Sequence, residues 1–249
     1  MKDYLTKDIR NVAIVGHASS GKTTLTEAML HSAGLTTRMG TIAEGNTKSD
    51  YRPEEIERQC SVGTSLMTIE WQETKLNILD TPGFTDFVGD ALSAVRVADT
   101  SLIVVDGTHG PEMGTENMWN YSNDYHIPRT FVVTGLDKEH SDFHKAFDRI
   151  KENYGNHVTA LQLPVNEGIG FNKIVDIIRK KTLVFKDDSG KYTMEASSEI
   201  ISLLSERRIF RACAYWSAHS GLSRLWRERV RRHPGLPASR LIRSLSTQK

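Results

Sequence analysis

The sequence predicts an α/β fold, a mostly parallel sheet with helices on both faces, and three observations support it. Short apolar runs rich in β-branched residues recur as far as Thr134, helical stretches separate them, and a glycine-rich loop joins the first run to the first helix. Residues 11–16 (NVAIVG) read as a buried parallel strand, because the run is continuously apolar and ends in glycine. Residues 22–32 read as a helix, with Leu25, Ala28, Met29 and Leu30 set among polar neighbours. Residues 35–60 are polar, punctuated by glycine and weakly periodic, which predicts a long loop, of a kind that is either functional or disordered. Further strands are expected at 62–71, 75–80, 101–106 and 130–134, with helices near 85–98, 112–125 and 139–153. Beyond them, 171–180 looks helical, and 182–195 looks like a hairpin turning at Asp187-Asp188-Ser189-Gly190. Together these two segments predict a small α/β insertion.

A chain of 249 residues has room for one sizeable domain and an appendage. Its net charge of +1 argues against strong attraction to nucleic acid or membrane for the chain as a whole. The charge is unevenly placed, however: residues 204–249 hold ten Arg, one Lys and two Glu, while the residues before them are net acidic. A boundary is therefore expected near Leu204. Cys60 and Cys213 are far apart and in no metal-like spacing, so neither a disulfide framework nor a zinc site is supported. The first ten residues lack the apolar run of a secretory signal, and nowhere do 18 apolar residues follow one another. A soluble, cytoplasmic protein with no membrane partner is expected.

The loop Gly16-His17-Ala18-Ser19-Ser20-Gly21-Lys22-Thr23 lies between a predicted strand and a predicted helix, the setting a P-loop requires. Its glycines let backbone N–H groups turn toward phosphate oxygens, and the helix N-terminus, including Thr24, adds its dipole. Lys22 would bridge the β- and γ-phosphates, and the Thr23 hydroxyl would ligate Mg²⁺. Asp80-Thr81-Pro82-Gly83 closes the strand at 75–80, where the carboxylate can hold Mg²⁺ through water and the Gly83 amide can touch the γ-phosphate. Its plainer reading is a strand-to-helix turn. Asp137, after the strand at 130–134, is placed to bind the guanine N1 and N2 hydrogens; the alternative is an N-cap for the following helix.

With these motifs in hand, the chain resembles the G domain of translation elongation factor G, and especially its divergent paralogues, from about Asn11 to Met194. The resemblance rests on the Gly16-His17 opening of the loop, Ser49-Asp50-Tyr51-Arg52-Pro53-Glu54-Glu55, Glu57-Arg58 and the DTPG turn followed by Asp86-Phe87. Gly114-Thr115-Glu116, the stretch from Asp137 to Phe143, and Leu163-Pro164-Val165 add to it. It implies a G domain at 8–158, part of an inserted subdomain at 159–203, and an Arg-rich tail at 204–249 outside the family fold. It also implies GTP and GDP as ligands, Mg²⁺ as cofactor, the ribosome as partner, a monomer, and loops 35–63 and 80–98 that switch on γ-phosphate loss. The later domains of such factors have no space in this length, so a fragment is expected.

Several positions depart from the family pattern. Ser61 aligns with the threonine whose hydroxyl completes the Mg²⁺ shell, the alternative being a polar residue at a strand start. Phe84 stands where the family has the histidine that orients the attacking water, which implies slow hydrolysis, with the phenyl either gating the site or filling core space. Thr134-Gly135-Leu136-Asp137 stands for Asn-Lys-x-Asp, and Ser19 replaces a loop aspartate, so affinity and guanine selectivity are expected to fall. The Ser-Ala-x-Lys loop that finishes the base pocket is not evident; Ser217-Ala218-His219 matches only its first two residues. The tail reads first as a shifted reading frame or fused segment, ahead of an RNA-binding arm carrying Trp216 and Trp226. A catalytically silent nucleotide-binding interaction module, or a truncated product without function, are the alternatives to a GTPase domain.

Overall fold

The computed structural model describes residues 2–186 and 192–196. The chain divides into two units, one ending at Ala146 and the other starting at Phe147. In the first unit, β1 (Ile9–Gly16) leads through the glycine loop into α1 (Lys22–Ser32). The polar segment that follows contains a short helix not foreseen from its weak periodicity, α2 (Pro53–Arg58). Pro53 opens this helix at a position where its missing N–H costs nothing, and the Glu55 carboxylate accepts the Arg52 N–H at 3.2 Å.

Next come β2 (Ser65–Trp71) and β3 (Thr74–Asp80), joined by Gln72 and Glu73, both at positive φ. Two such residues are what a tight hairpin between twisted strands requires. α3 (Val88–Val97), β4 (Thr100–Asp106), α4 (Met113–Asp124) and β5 (Arg129–Thr134) complete the alternation. The sheet order is β2-β3-β1-β4-β5, with β1, β3, β4 and β5 parallel and β2 antiparallel at the edge.

The core follows from the period of two along β1. Ala13 and Val15 point to one face, where they pack with Ala91, Ala94 and Val95 of α3 and Met118 of α4. Val12 and Ile14 point to the other, with Leu30 of α1, Ile69 and Ile78. Alanines on α3 let that helix approach the sheet closely, and α1 covers the opposite face. The result is a sheet whose parallel strands all end on one side.

α5 (Phe143–Tyr154) runs from the first unit into the second and buries Phe143, Ala146, Ile150 and Tyr154, a helical stripe. The second unit continues with β6 (Gln162–Pro164), β7 (Lys173–Asp176), β8 (Lys181–Phe185) and β9 (Tyr192–Ala196), an antiparallel sheet in sequence order. The hairpin expected at 182–195 is the β8–β9 pair, its turn residues 187–191 lying outside the described residues.

The helix expected at 171–180 is instead strand β7 and a turn. Pairing on both sides overrides the apolar spacing: Val175 is fully buried opposite Leu163 and Thr182, and the Asp176 carboxylate accepts the Arg179 N–H at 2.9 Å to end the strand. The tail expected from 204 onward, with Cys213, Trp216, Trp226 and Ser217-Ala218-His219, lies outside the described residues. Among the described residues no helix is long and apolar enough to cross a membrane.

Candidate nucleotide site

The loop after β1 is shaped by residues that tolerate unusual backbone. Gly16 has φ +147, and a Cβ there would collide with the Val104 carbonyl of β4. Ser19 and Gly21 follow at φ 60 and 86, and Gly21 caps α1 without any side-chain hydrogen bond. The first N–H groups of α1 are left for a ligand, with the positive end of the helix dipole behind them. Thr24 is exposed on the first turn, whereas Ser20 is buried with its Oγ lacking a hydrogen-bond partner among the described residues.

Lys22, only 6 % exposed, folds its Nζ back to donate to the His17 carbonyl at 2.7 Å. Burial pushes its ammonium down to about 8, against the opposing pull of Asp80 and Asp50. The DTPG turn lies directly on this group, since a Cβ on Gly83 would collide with Lys22 Nζ and stand 2.7 Å from the Ala18 nitrogen. Glycine at 83 is therefore a requirement of close approach, and its amide belongs to the same cradle.

Asp80, at the end of β3, is 1 % exposed, and neither carboxylate oxygen makes a hydrogen bond among the described residues. The Ser49 and Thr23 hydroxyls are near it without reaching hydrogen-bond geometry. Burial pushes the carboxyl up to about 6, opposed by the Lys22 charge. Thr23 Oγ1 stands 3.2 Å from Ser61 Oγ, which donates to Asp50 Oδ1 at 2.7 Å, while Asp50 Oδ2 has no hydrogen-bond partner among the described residues. Burial raises the Asp50 carboxyl as well, against the Ser61 hydrogen bond.

Two buried carboxylates with orphaned oxygens and two hydroxyls make a hard-oxygen donor set of the kind Mg²⁺ takes. No group of three or more His, Cys, Asp or Glu that could hold a metal occurs among the described residues. Ser61 precedes β2 by four positions and points into this cluster, so it is not simply a strand-start residue. Asp50, which the sequence marks only as part of the segment 49–55, joins it through the fold. Glu55 anchors the approach, its Oε1 accepting the Val62 and Gly63 N–H groups at 3.1 and 3.3 Å.

The pH dependence of the nucleotide-free chain follows from these shifts. The folded-state Asp80 value lies above its ordinary 3.8, so its contribution is fully present below about pH 4 and is lost as pH rises through about 6. The lowered Lys22 value acts in reverse, contributing fully above about pH 10.5 and losing that as pH falls through about 8. Between these values both buried groups are charged. Asp80→Asn is expected to stabilise the nucleotide-free chain at pH 7 by about 1–2 kcal/mol, less than the shift alone implies because the asparagine amide is itself buried where neither Asp80 oxygen finds a hydrogen-bond partner among the described residues. Thermal melting between pH 4 and 8 tests this; the gap to the wild type should close toward pH 4, and a variant no more stable at pH 7 would refute it.

At the end of β5, the Thr134 hydroxyl reaches the Ser20 carbonyl at 2.7 Å and the Val105 carbonyl at 3.2 Å. It ties the glycine loop to the neighbouring strands. Asp137 is exposed, and the N-cap of α5 is instead Asp142, whose carboxylate accepts the Lys145 N–H at 2.8 Å. The structural role considered for Asp137 thus belongs to another residue. Phe84 is 47 % exposed at the start of a 3₁₀ turn over 85–87, which removes the core-filling alternative. His17, beyond its place in the loop, is clamped by α4: its Nδ1 accepts the Gly114 N–H at 3.4 Å and its Nε2 lies 3.4 Å from Glu112.

The elongation factor Tu GTP binding domain family matches residues 7–223. The chain belongs to that family. Among relatives of this GTP-binding domain, elongation factor G from Granulibacter bethesdensis is 34 % identical over 178 residues, 72 % of this chain and 26 % of the relative. Elongation factor G from Gluconobacter oxydans is 35 % identical over 185 residues, 74 % of this chain and 26 % of the relative. A solved structure from Thermus thermophilus superposes with a TM-score of 0.76 at 32 % identity, covering 83 % of this chain and 31 % of that one. The chain thus spans about a quarter of the length of the curated relatives it matches.

Proposed function

We propose that this domain binds GTP and GDP with Mg²⁺ as the G domain of an elongation-factor-G-like translational GTPase, and that it hydrolyses GTP slowly. The observation that carries the reading is Asp80: a buried carboxylate with two unpartnered oxygens, beside Lys22 and Thr23, at the mouth of a phosphate-shaped loop. Residues 16–24 would cradle the phosphates, and Lys22 would leave the His17 carbonyl for the β- and γ-phosphates. Thr23, Ser61, Asp80 and Asp50 would hold Mg²⁺, directly or through water; when bound, the ion neutralises charge developing on the transferred phosphoryl group. Gly83 would offer its amide to the γ-phosphate, and Asp137 would read the guanine edge.

Hydrolysis is water attack on the γ-phosphorus, breaking its bond to the β–γ bridging oxygen. Phe84 has no hydrogen-bonding atom with which to align that water, hence the slow rate. The setting proposed is a monomer acting on ribosomes in the cytoplasm. The exposed phenyl of Phe84 also favours a second reading, a nucleotide-dependent interaction module with no hydrolysis.

Calorimetric titration of the full chain with GDP, GTP and ADP in Mg²⁺ tests the proposal. Guanine nucleotides are expected to bind at least about tenfold more tightly than ADP, roughly 1.4 kcal/mol. Equal affinities would remove Asp137 as the guanine reader, and no binding at all would overturn the whole reading.

A further inference from the structure

The strand ends beside the phosphate loop carry an ion pair that no step above uses. Lys138 Nζ lies 2.7 Å from Asp106 Oδ2, with the lysine 54 % exposed and the aspartate almost wholly buried. Asp106 ends β4 in register with Thr134, the last residue of β5. Its second oxygen accepts the Thr108 N–H at 2.8 Å. Gly135 comes next with φ +66, and a Cβ built on it would stand 3.1 Å from Lys138 Cε, 3.2 Å from Cδ and 3.3 Å from Asp106 Oδ2. The aliphatic stem of Lys138 therefore crosses over the backbone of residue 135 and fills the space in which a side chain there would begin.

In an open parallel sheet a ligand lies beyond the carboxyl ends of the strands. A nucleotide whose phosphates occupy the loop after β1 must extend its ribose and base past the neighbouring ends of β4 and β5. Thr134 marks that path, because its hydroxyl touches the loop at Ser20. A threonine hydroxyl has one proton, and both contacts of this one are carbonyl acceptors, so it has none to donate to a base. Among the remaining groups at this end, Asp137 offers a carboxylate and Lys138 offers four methylenes held in place at their tip.

We infer that Lys138 is a determinant of nucleotide affinity in this chain: its stem forms a wall against one face of the base, and Asp106 is the positioning residue that holds it there. The inference rests on the nucleotide-binding reading above. It accounts for how a glycine at 135 is accommodated beside a base, since the wall comes from three residues further along the chain.

The test titrates the full-length wild type, Lys138→Ala and Lys138→Met with GDP and, separately, with inorganic tripolyphosphate, all in Mg²⁺. Lys138→Ala is expected to weaken GDP about tenfold and leave tripolyphosphate within about twofold, because only GDP carries a base to pack. Lys138→Met keeps most of the stem and should lose less than about threefold for GDP. Unchanged GDP affinity in Lys138→Ala would overturn the inference, as would a parallel loss of both ligands, which would mark the ion pair as structural. An equal loss in Lys138→Met would transfer the effect from the stem to the charge and overturn the wall. If the wild type binds tripolyphosphate but not GDP, the nucleotide reading itself has failed, and the inference falls with it.

Discussion

Lys22→Ala is expected to lower the affinity for GDP in Mg²⁺ by about two to three orders of magnitude. The ammonium is buried and, among the described residues, donates to one backbone carbonyl, so a phosphate can take it over without stripping it of a strong hydration shell. Charge-assisted hydrogen bonds of this kind contribute roughly 1.5–3 kcal/mol each, and two contacts to adjacent phosphates reach the stated loss. A second consequence distinguishes loss of a ligand contact from general damage. Removing Lys22 takes away a charge that pulls the Asp80 carboxyl down, so Asp80 should take up its proton at a higher pH than in the wild type. Calorimetry with GDP, together with thermal melting across pH, measures both effects. Wild-type affinity in the variant would exclude this loop as the phosphate site.

Phe84→His is expected to raise the single-turnover rate of GTP hydrolysis at least about tenfold, with little change in GTP affinity. Groups that align or stabilise the attacking water and the transferred phosphoryl act on the transition state rather than on the bound ground state, and supplied groups of this class change rates by roughly 10³–10⁵ in favourable cases. The smaller figure follows from the half-exposed position of the phenyl at the start of the turn over 85–87. Phe84→Leu is the companion variant, removing the aromatic ring without adding a hydrogen-bonding atom. A histidine variant no faster than the leucine variant would mean that water alignment is not what limits this domain. A wild type already hydrolysing at the histidine rate would have the same meaning.

Much of the candidate site's geometry was legible because it is local. Gly16, Gly21, Lys22 and Thr23 span one short loop from the end of β1 to the first turn of α1, and Asp80 and Gly83 end and follow the strand directly beside β1. The β-branched runs of β1, β4 and β5 likewise announce buried parallel strands by composition alone. The helix expected over 171–180 fails because Ile174, Val175, Ile177 and Ile178 give an ambiguous short apolar pattern, and the β-pairing that decides it comes from residues about ten positions away on either side. Helix α2 was missed because six residues are too few to show a period.

What the sequence by itself determined is the order of strand, phosphate loop and helix, and the residue types available at its mouth, since these depend on near neighbours along the chain. What only the tertiary structure decided is which distant groups meet there. It set Asp50 and Ser61 beside Thr23, Gly83 against Lys22, Thr134 on the Ser20 carbonyl and the stem of Lys138 over Gly135. Those meetings are fixed by sheet order and by close packing around glycines, which bring together positions up to 114 residues apart and leave no trace in local spacing.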